Sequence, residues 1–437
     1  MGELNLLIVG PCVALCLINI LFCVRDLFRY EMQSLFAGML LIYLPTNLYG
    51  MILLPFIELK AIHEQKFSYE ILSNQYLGFL ILNAAVLVMF LMRGVLMRNR
   101  PPLRSHFGGV QLHGLLANGI FWFTVLYSCL FILMKRGRLA DLLRIVASGN
   151  FESYYSYRKD LIYEKAATNF VINNLDSIFV YGMLYFFVGL FAWNYFRVRR
   201  LDYRLLVVTP LLLVTAILRF QKAPLVIALC AVLFAWIYSR RFSSKTFSNF
   251  IKITLGGGVV LCAIYIIYSL LGFEGSILHG LHDRILISPA FTSYGFYWTF
   301  PDHHGFLHYG GSRTFNLIFG LGQERELLTY LGTAPLIVSQ YFYGATTFFN
   351  FNTGIVGEGY AQNGYWGVAQ SGFVLFGVFM LWDYIFLKRS LGRAYAPALI
   401  FCFSQFMVIL NSGMLSIFST GFLLVPMMYC MMFRRPR

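Results

Sequence analysis

The sequence predicts an all-α polytopic membrane protein of about eleven transmembrane helices, with a large, partly helical loop on its outer side. Three observations predict it. First, 59% of the 437 residues are apolar and only 12% are charged, against about 45–50% and about 25% in a soluble domain. Second, apolar runs recur at roughly the 20 residues that a helix rising 1.5 Å per residue needs to cross a bilayer. Third, Lys and Arg collect on alternate connections. Together these exclude a soluble enzyme, a disordered chain and a nucleic-acid module, despite a net charge of +15.

The spans read as 4–24, 35–57, 73–96, 113–134, 173–196, 205–219, 223–239, 250–272, 365–387, 394–411 and 413–433. The first is full length and has no basic stretch before it, so it reads as a span and not as a cleavable signal. Its Cys12 and Cys16, like the other six cysteines, fall inside apolar runs, so they read as small apolar side chains and not as a disulfide framework. The sixth and seventh spans are joined only by Phe220, Gln221 and Lys222, a tight helical hairpin. The triple glycine at 256–258 reads as close helix packing. These readings divide the chain into spans one to eight (1–272), a cap loop (273–364) and spans nine to eleven (365–437).

Alternate short connections, starting after the first span, carry 20 of the 34 basic residues, among them Arg25, Arg93, Arg100, Arg200, Lys388 and Arg434. The positive-inside rule makes that face cytoplasmic. The N-terminus is then outside, the C-terminus inside, and both long loops, 135–172 and 273–364, outside. The +15 charge is mostly this bias, with contact to anionic lipid second.

The loop 135–172 breaks the rule: it holds seven basic residues, including Lys135, Arg136, Arg138 and Arg158. Its apolar residues recur at helical spacing, as in an amphipathic helix lying on the membrane surface. Two roles stay open for the basic cluster: snorkelling to lipid phosphates or binding an anion. The loop 273–364 is too long for a plain connector. It carries His279, His282, His303, His304 and His308, carboxylates such as Asp283, Asp302 and Glu358, and a dense run of aromatics. Aromatics with carboxylates and hydroxyls suit a sugar-binding surface; they equally suit an interfacial belt. Asp302, His303, His304 and His308 have the atoms to ligate zinc. Only His304 and His308 stand at i, i+4, and the Gly-rich sequence after Pro301 favours a loop, so no metal is expected.

Two further constellations can do chemistry. Arg219 and Lys222 flank the tip of the sixth–seventh hairpin, where Pro224 opens a helix; two cations at a helix N-terminus suit phosphate, or they anchor the boundary. The segment from Asn352 to Gly367 holds glycines at 354, 357, 359, 364 and 367 and a lone carboxylate, Glu358. Glycines let a backbone approach a ligand, and an ionisable group at a bilayer boundary is costly unless it works or is paired.

Three stretches carry a resemblance: RFQKAPLVIAL at 219–229, DRILISPAFTSYGFYWTFPDHHGFLHYGGS at 283–312 and NTGIVGEGYAQNGYWG at 352–367. With the layout of spans and the two outer loops, the chain resembles the Wzy-type polymerases of lipid-linked oligosaccharide repeat units. Lys222 stands where such proteins more often carry Arg. The resemblance implies transfer of a growing glycan from one undecaprenyl pyrophosphate onto a lipid-linked repeat unit, at the periplasmic face of the bacterial inner membrane. It implies no cofactor and no metal. Its partners would be the lipid-linked oligosaccharide as donor and acceptor, membrane lipid and a Wzz-type chain-length regulator, with no nucleic acid. Arg219, Lys222, Arg158 and Arg284 would take up charge on the leaving pyrophosphate. Glu358 would be the base for the sugar hydroxyl, with His304 second; burial is expected to raise the Glu358 pKa. Asn352, Asp302, His303, Arg313 and Tyr360 would contact the glycan. An O-antigen ligase shares this layout, and a flippase is the rival of another class. No internal repeat points to transport, and the ionisable Asp176 and Asp383 lie towards span ends.

Overall fold

The computed structural model describes residues 5–30, 34–56, 67–97, 115–138, 140–141, 144, 172, 175–218, 222–239, 256, 287–309, 334–343, 354–385, 396–412, 417 and 422–432. No strand occurs among them. Six helices are long and apolar enough to cross a membrane: Leu6–Arg29, Leu35–Phe56, Tyr69–Leu96, Leu115–Met134, Asp176–Val198 and Gly354–Asp383. Tyr203–Leu218, Ile227–Trp236 and Ala396–Gln405 are shorter apolar helices. The chain is membrane-embedded. Six predicted spans thus have full length. The eighth, apart from Gly256, lies outside the described residues, and within the eleventh Leu424–Met432 is helical.

The chain divides into two compact units. The first contains α1 (Leu6–Arg29), α2 (Leu35–Leu53, extended by a 3₁₀ turn to Phe56), α3 (Tyr69–Leu96), α8 (Ser288–Thr299), α9 (Ala334–Tyr343) and α10 (Gly354–Asp383). Side chains of Asn5, Ser34 and Ser68 cap α1, α2 and α3 by accepting amide hydrogens of the first turn. The face of α1 that meets α2 and α3 carries Cys12, Cys16, Asn19 and Cys23, all buried. Asn19 donates from Nδ2 to the Asn83 carbonyl at 2.9 Å and to its side-chain oxygen at 3.0 Å, joining α1 to α3 in mid-span. Gly372 and Gly377 of α10 face Leu82, Ala85 and Met89 of α3. Thus α1, α3 and the long second half of α10 run in one direction and α2 in the other.

At one end of this bundle the helices are joined by charge. Asp26 of α1, Arg93 of α3 and Asp383 of α10 are all buried. Arg93 donates to Asp26 through Nη1, and its Nη2 lies 3.0 Å from Asp383 and 3.1 Å from Ser34 Oγ. Asp383 accepts from the Ser34 hydroxyl at 2.8 Å and from the amides of Leu35 and Phe36 at 2.7 and 3.3 Å. The carboxylate ending α10 therefore caps the start of α2, whose first amides lack intrahelical partners. Exposed Arg25 lies 3.5 Å from Asp26, so two cations and two anions alternate from the surface inward. The charge pattern of the sequence places Arg93 among cytoplasmic loop charges; its side chain instead turns back into the bundle, because two buried carboxylates need a buried cation.

The second unit contains α4 (Leu115–Met134), a π-helical turn (Asp176–Met183) continuing into α5 (Leu184–Val198), α6 (Tyr203–Leu218), α7 (Lys222–Ser239), the part of α11 (Ala396–Ser412) up to Phe406, and α12 (Leu424–Met432). Buried α5 is its centre. Every residue from Leu184 to Trp193 is buried, with Phe187 and Phe191 edge-on to Phe121 of α4. Arg199 ends α5 in a left-handed cap, φ 58°, and Asp202 accepts the Arg204 amide at the start of α6. Lys222 opens α7 and is not part of the connection. Gly256 meets Leu233 of α7, where a Cβ would come within 2.7 Å, the close packing expected of that glycine run. Tyr127 of α4 donates to Asp176 at 2.8 Å, and residues 136–138, 140, 141 and 144 are helical, as the periodicity of the basic loop predicts.

Candidate functional site

At the other end of the first unit, α10 is broken. Asn363 (φ −147°, ψ 34°) and Gly364 (φ 58°, ψ −144°) interrupt it one residue before its predicted start as a span. The segment from Gly354 to Gln362 is thus already helical. It folds back on the helix beyond the break: Gly359 packs on Gly367, Val368 and Ser371, and a Cβ at Gly367 would overlap the Gly359 carbonyl oxygen. Only glycine at both positions lets the two segments close to this distance. Gly364 takes the left-handed backbone of the break, with the Phe306 ring 3.2 Å from where a Cβ would stand.

A break leaves carbonyls without their i+4 partners, and these must be satisfied elsewhere. The turn after α8 does so. Helix α8 ends at Phe300, extended at φ −111°, because the residue before a proline is driven out of the helical region. The Phe300–Pro301 bond is cis. The chain then crosses to α10. Leu307 N–H donates to the Ala361 carbonyl at 2.9 Å and His308 N–H to the Gln362 carbonyl at 2.8 Å. Tyr309 N–H donates to Gln362 Oε1 at 2.7 Å, and the Tyr309 hydroxyl to Gln370 Oε1 at 2.7 Å. Asn363 Nδ2 donates to the same Gln370 oxygen at 3.4 Å, and its Oδ1 lies 2.7 Å from His308 Nδ1. His308 (φ 47°) and Tyr309 (φ 64°) are both left-handed. Side-chain amides and a turn backbone thus latch the outer loop to the broken helix.

Beside the latch lies an aromatic stack. Tyr297 of α8 lies on Tyr360 of α10, ring centroids 3.9 Å apart and planes 25° apart, while Phe306 meets Tyr360 edge-on at 5.7 Å. Tyr365 packs against Tyr360 at 5.2 Å and donates to Asn74 Oδ1 of α3 at 3.1 Å. The Tyr297 hydroxyl occupies the space that a side chain at Gly78 of α3 would need. Gln75 donates to the Ala290 carbonyl at 2.8 Å and the Ser68 amide to the Tyr294 hydroxyl at 2.8 Å, fixing α8 on α3.

The structure brings several sequence candidates together here. Glu358 is half-buried on the first segment of α10. Burial raises the pKa of the Tyr309 phenol; the Asn363 hydrogen bond opposes this, and the nearby Glu358 carboxylate adds to it. Exposed Asp302 acts electrostatically on Tyr360. His303 lies on Trp298, ring centroids 3.9 Å apart. His304 is half-buried, its Nδ1 2.7 Å from the Gly305 carbonyl, and its ring is edge-on to Phe300 and to Tyr341 of α9. Among the described residues no three of His, Cys, Asp and Glu converge as a metal site would require. Arg158, Arg219, Arg284, Arg313 and Asn352 lie outside the described residues, as does the side chain of Lys222.

Sequence reasoning alone does not single out Asn363, Gln362, Gln370 or Tyr309. Their signal is the Asn-Gly pair at 363–364, a turn signature inside an otherwise helical run. Compared with known protein families, characterised proteins and solved structures, the chain matches none.

Proposed function

We propose that the chain polymerises undecaprenyl-pyrophosphate-linked oligosaccharide repeat units, moving the growing glycan onto a new lipid-linked unit at the periplasmic face of the bacterial inner membrane. In this reading about eleven spans cross the membrane, the N-terminus is periplasmic and the C-terminus cytoplasmic, as the alternation of basic loops requires. The observation that carries it is the turn from Pro301 to Tyr309 docked on the broken glycine-rich helix. There a carboxylate, imidazoles, amides and tyrosine faces gather at one end of a membrane bundle. Hydroxyl-rich ligands are recognised by that mixture of hydrogen-bonding groups and aromatic faces. The leaving group is already a stable anion, so the reaction needs cations and a proton acceptor; Arg158, Arg219, Lys222 and Arg284 are the cations assigned. Asp302, His303, Tyr360, Asn352 and Arg313 contact the glycan, and a Wzz-type regulator sets chain length.

A flippase is the reading of another class, and a buried ionic group in a bundle could favour it. Here Arg93 is enclosed by Asp26, Asp383 and Ser34, and Asp383 is bonded to the α2 amides, as in a fixed joint. The test is a deletion strain. A polymerase deletion loses the polysaccharide ladder and keeps a single repeat unit on the lipid core. Loss of that single unit as well would point to a ligase or flippase.

A further inference from the structure

Within the polymerase reading, on which this step rests, we propose that His308 accepts the proton of the attacking sugar hydroxyl at Nε2, with Asn363 as the positioning residue that fixes its tautomer. The hydrogen-bond network determines where each proton lies. Gln370 Oε1 accepts from the Tyr309 hydroxyl and from Asn363 Nδ2, which turns Asn363 Oδ1 toward His308 Nδ1. A side-chain carbonyl oxygen only accepts, so Nδ1 carries the ring proton and Nε2 holds the lone pair. The ring is exposed, and it is held there at a backbone cost. A histidine at φ 47° followed by a tyrosine at φ 64° is strained, and such strain persists where surrounding bonds over-determine it. Those bonds are the three amide donations from Leu307, His308 and Tyr309 to the broken helix.

The two bases favoured by sequence are placed differently. The His304 ring also donates from Nδ1, but it is half-buried against Phe300 and Tyr341. Glu358 is half-buried on the first segment of α10 and acts electrostatically on Tyr309, the residue after His308. In the step itself, the acceptor hydroxyl oxygen attacks the anomeric carbon of the donor glycan. The new glycosidic C–O bond forms as the C–O bond to pyrophosphate breaks, and that electron pair leaves with the lipid pyrophosphate. The hydroxyl proton passes to Nε2, and the imidazolium later returns it to water.

The discriminating variant is His308→Asn. The Nδ2 of asparagine takes the place of histidine Nδ1, so the bond to Asn363 survives, and asparagine tolerates positive φ better than most residues. Only Nε2 is lost. With full-length enzyme in detergent and purified lipid-linked repeat units, kcat is expected to fall on the order of 10²–10⁴-fold with KM little changed. Turnover close to wild type overturns the proposal, since the latch alone would then suffice. Nitrogen NMR of the labelled wild-type protein is expected to show the Nδ1–H tautomer at His308, lost in Asn363→Ala; an Nε2–H tautomer in the wild type also overturns it. A wild-type enzyme that forms no glycan from these substrates overturns the polymerase reading and this step with it. An active wild type with an equally active His308→Asn variant overturns this step alone.

Discussion

The two ends of the first unit solve the same problem, holding polar groups within an apolar bundle, in opposite ways. At one end, Asp26, Arg93, Asp383 and Ser34 are buried, charged groups are paired, and helical geometry is intact. At the other, amides and phenols make the bonds that ion pairs make at the first, the helix is broken, two residues are strained, and His308 is exposed. About 19 residues of α10, roughly 28 Å, separate the break from Asp383. The first end gains specificity for one assembly of four helix termini. The second leaves His308 open to solution and uses backbone bonds to hold its turn. Binding and chemistry need the second arrangement; a joint needs the first.

The sharpest way to break the comparison is at Arg93. Arg93→Met removes the cation of this joint and leaves the buried Asp26 and Asp383 without it, which costs on the order of 3–5 kcal/mol. Unfolding in detergent should show this as a large loss of thermal stability and of protein in the membrane. An Arg93→Met variant of wild-type stability would mean that these carboxylates are neutral in the folded protein.

At the broken end, backbone replaces charge as the vulnerable element. Gly367→Ala forces a methyl into the Gly359 carbonyl and is expected to cost about 1–3 kcal/mol. Gly364→Ala places a side chain at φ 58°, ψ −144°, backbone that is essentially restricted to glycine, beside Phe306, and is expected to cost about 1–3 kcal/mol. Both should loosen the latch more than they lower global stability, read as faster hydrogen exchange at the Leu307, His308 and Tyr309 amides. Unchanged exchange at these amides in Gly367→Ala would show that the two segments of α10 are not held together by this crossing.

Much of the bundle is legible in the sequence because its spans are long apolar runs, and α1 to α5 stand where hydropathy puts them. The glycine-rich stretch is legible as a departure from plain span, because it holds five glycines and one carboxylate. What sequence misses depends on contacts across hundreds of residues. Arg93 looks like another basic residue near a span end until Asp383, nearly 300 positions away, is beside it. His308 looks like one of a histidine cluster until Asn363 Oδ1, 55 positions on, stands 2.7 Å from its Nδ1. The helix break is visible only as Asn-Gly, and hydropathy places the start of the span just after it and so hides the helix before it. The cations assigned to pyrophosphate fall on loops or at a hairpin tip, and they lie outside the described residues or, for Lys222, have no described side chain.

The broken end also separates position from charge. Glu358→Gln keeps the size and hydrogen bonding of the side chain and removes its charge. With His308 as proton acceptor, this variant slows turnover less than His308→Asn does, because the accepting nitrogen is still in place. A Glu358→Gln variant slower than His308→Asn in the same assay would return the role of base to the carboxylate.

The smallest effect expected is at Tyr309. Its hydroxyl is one of two donors to Gln370 Oε1, so Tyr309→Phe leaves the Asn363 donor in place and costs about 0.5–1.5 kcal/mol, the worth of a neutral hydrogen bond. The same group sets the pH dependence. Burial, with Glu358 adding to it, raises the Tyr309 pKa above its ordinary value, so the folded protein favours the neutral phenol. A raised folded-state pKa contributes stability that is fully present below the unfolded value of about 10 and is lost as pH rises through the folded one. The latch is therefore expected to hold unchanged across neutral pH and to weaken only in strong alkali. Hydrogen exchange at the His308 amide, corrected for its intrinsic pH dependence, measures this directly. Protection that falls between neutrality and pH of about 9 in the wild type, and equally in Tyr309→Phe, would assign the weakness to another group of the latch.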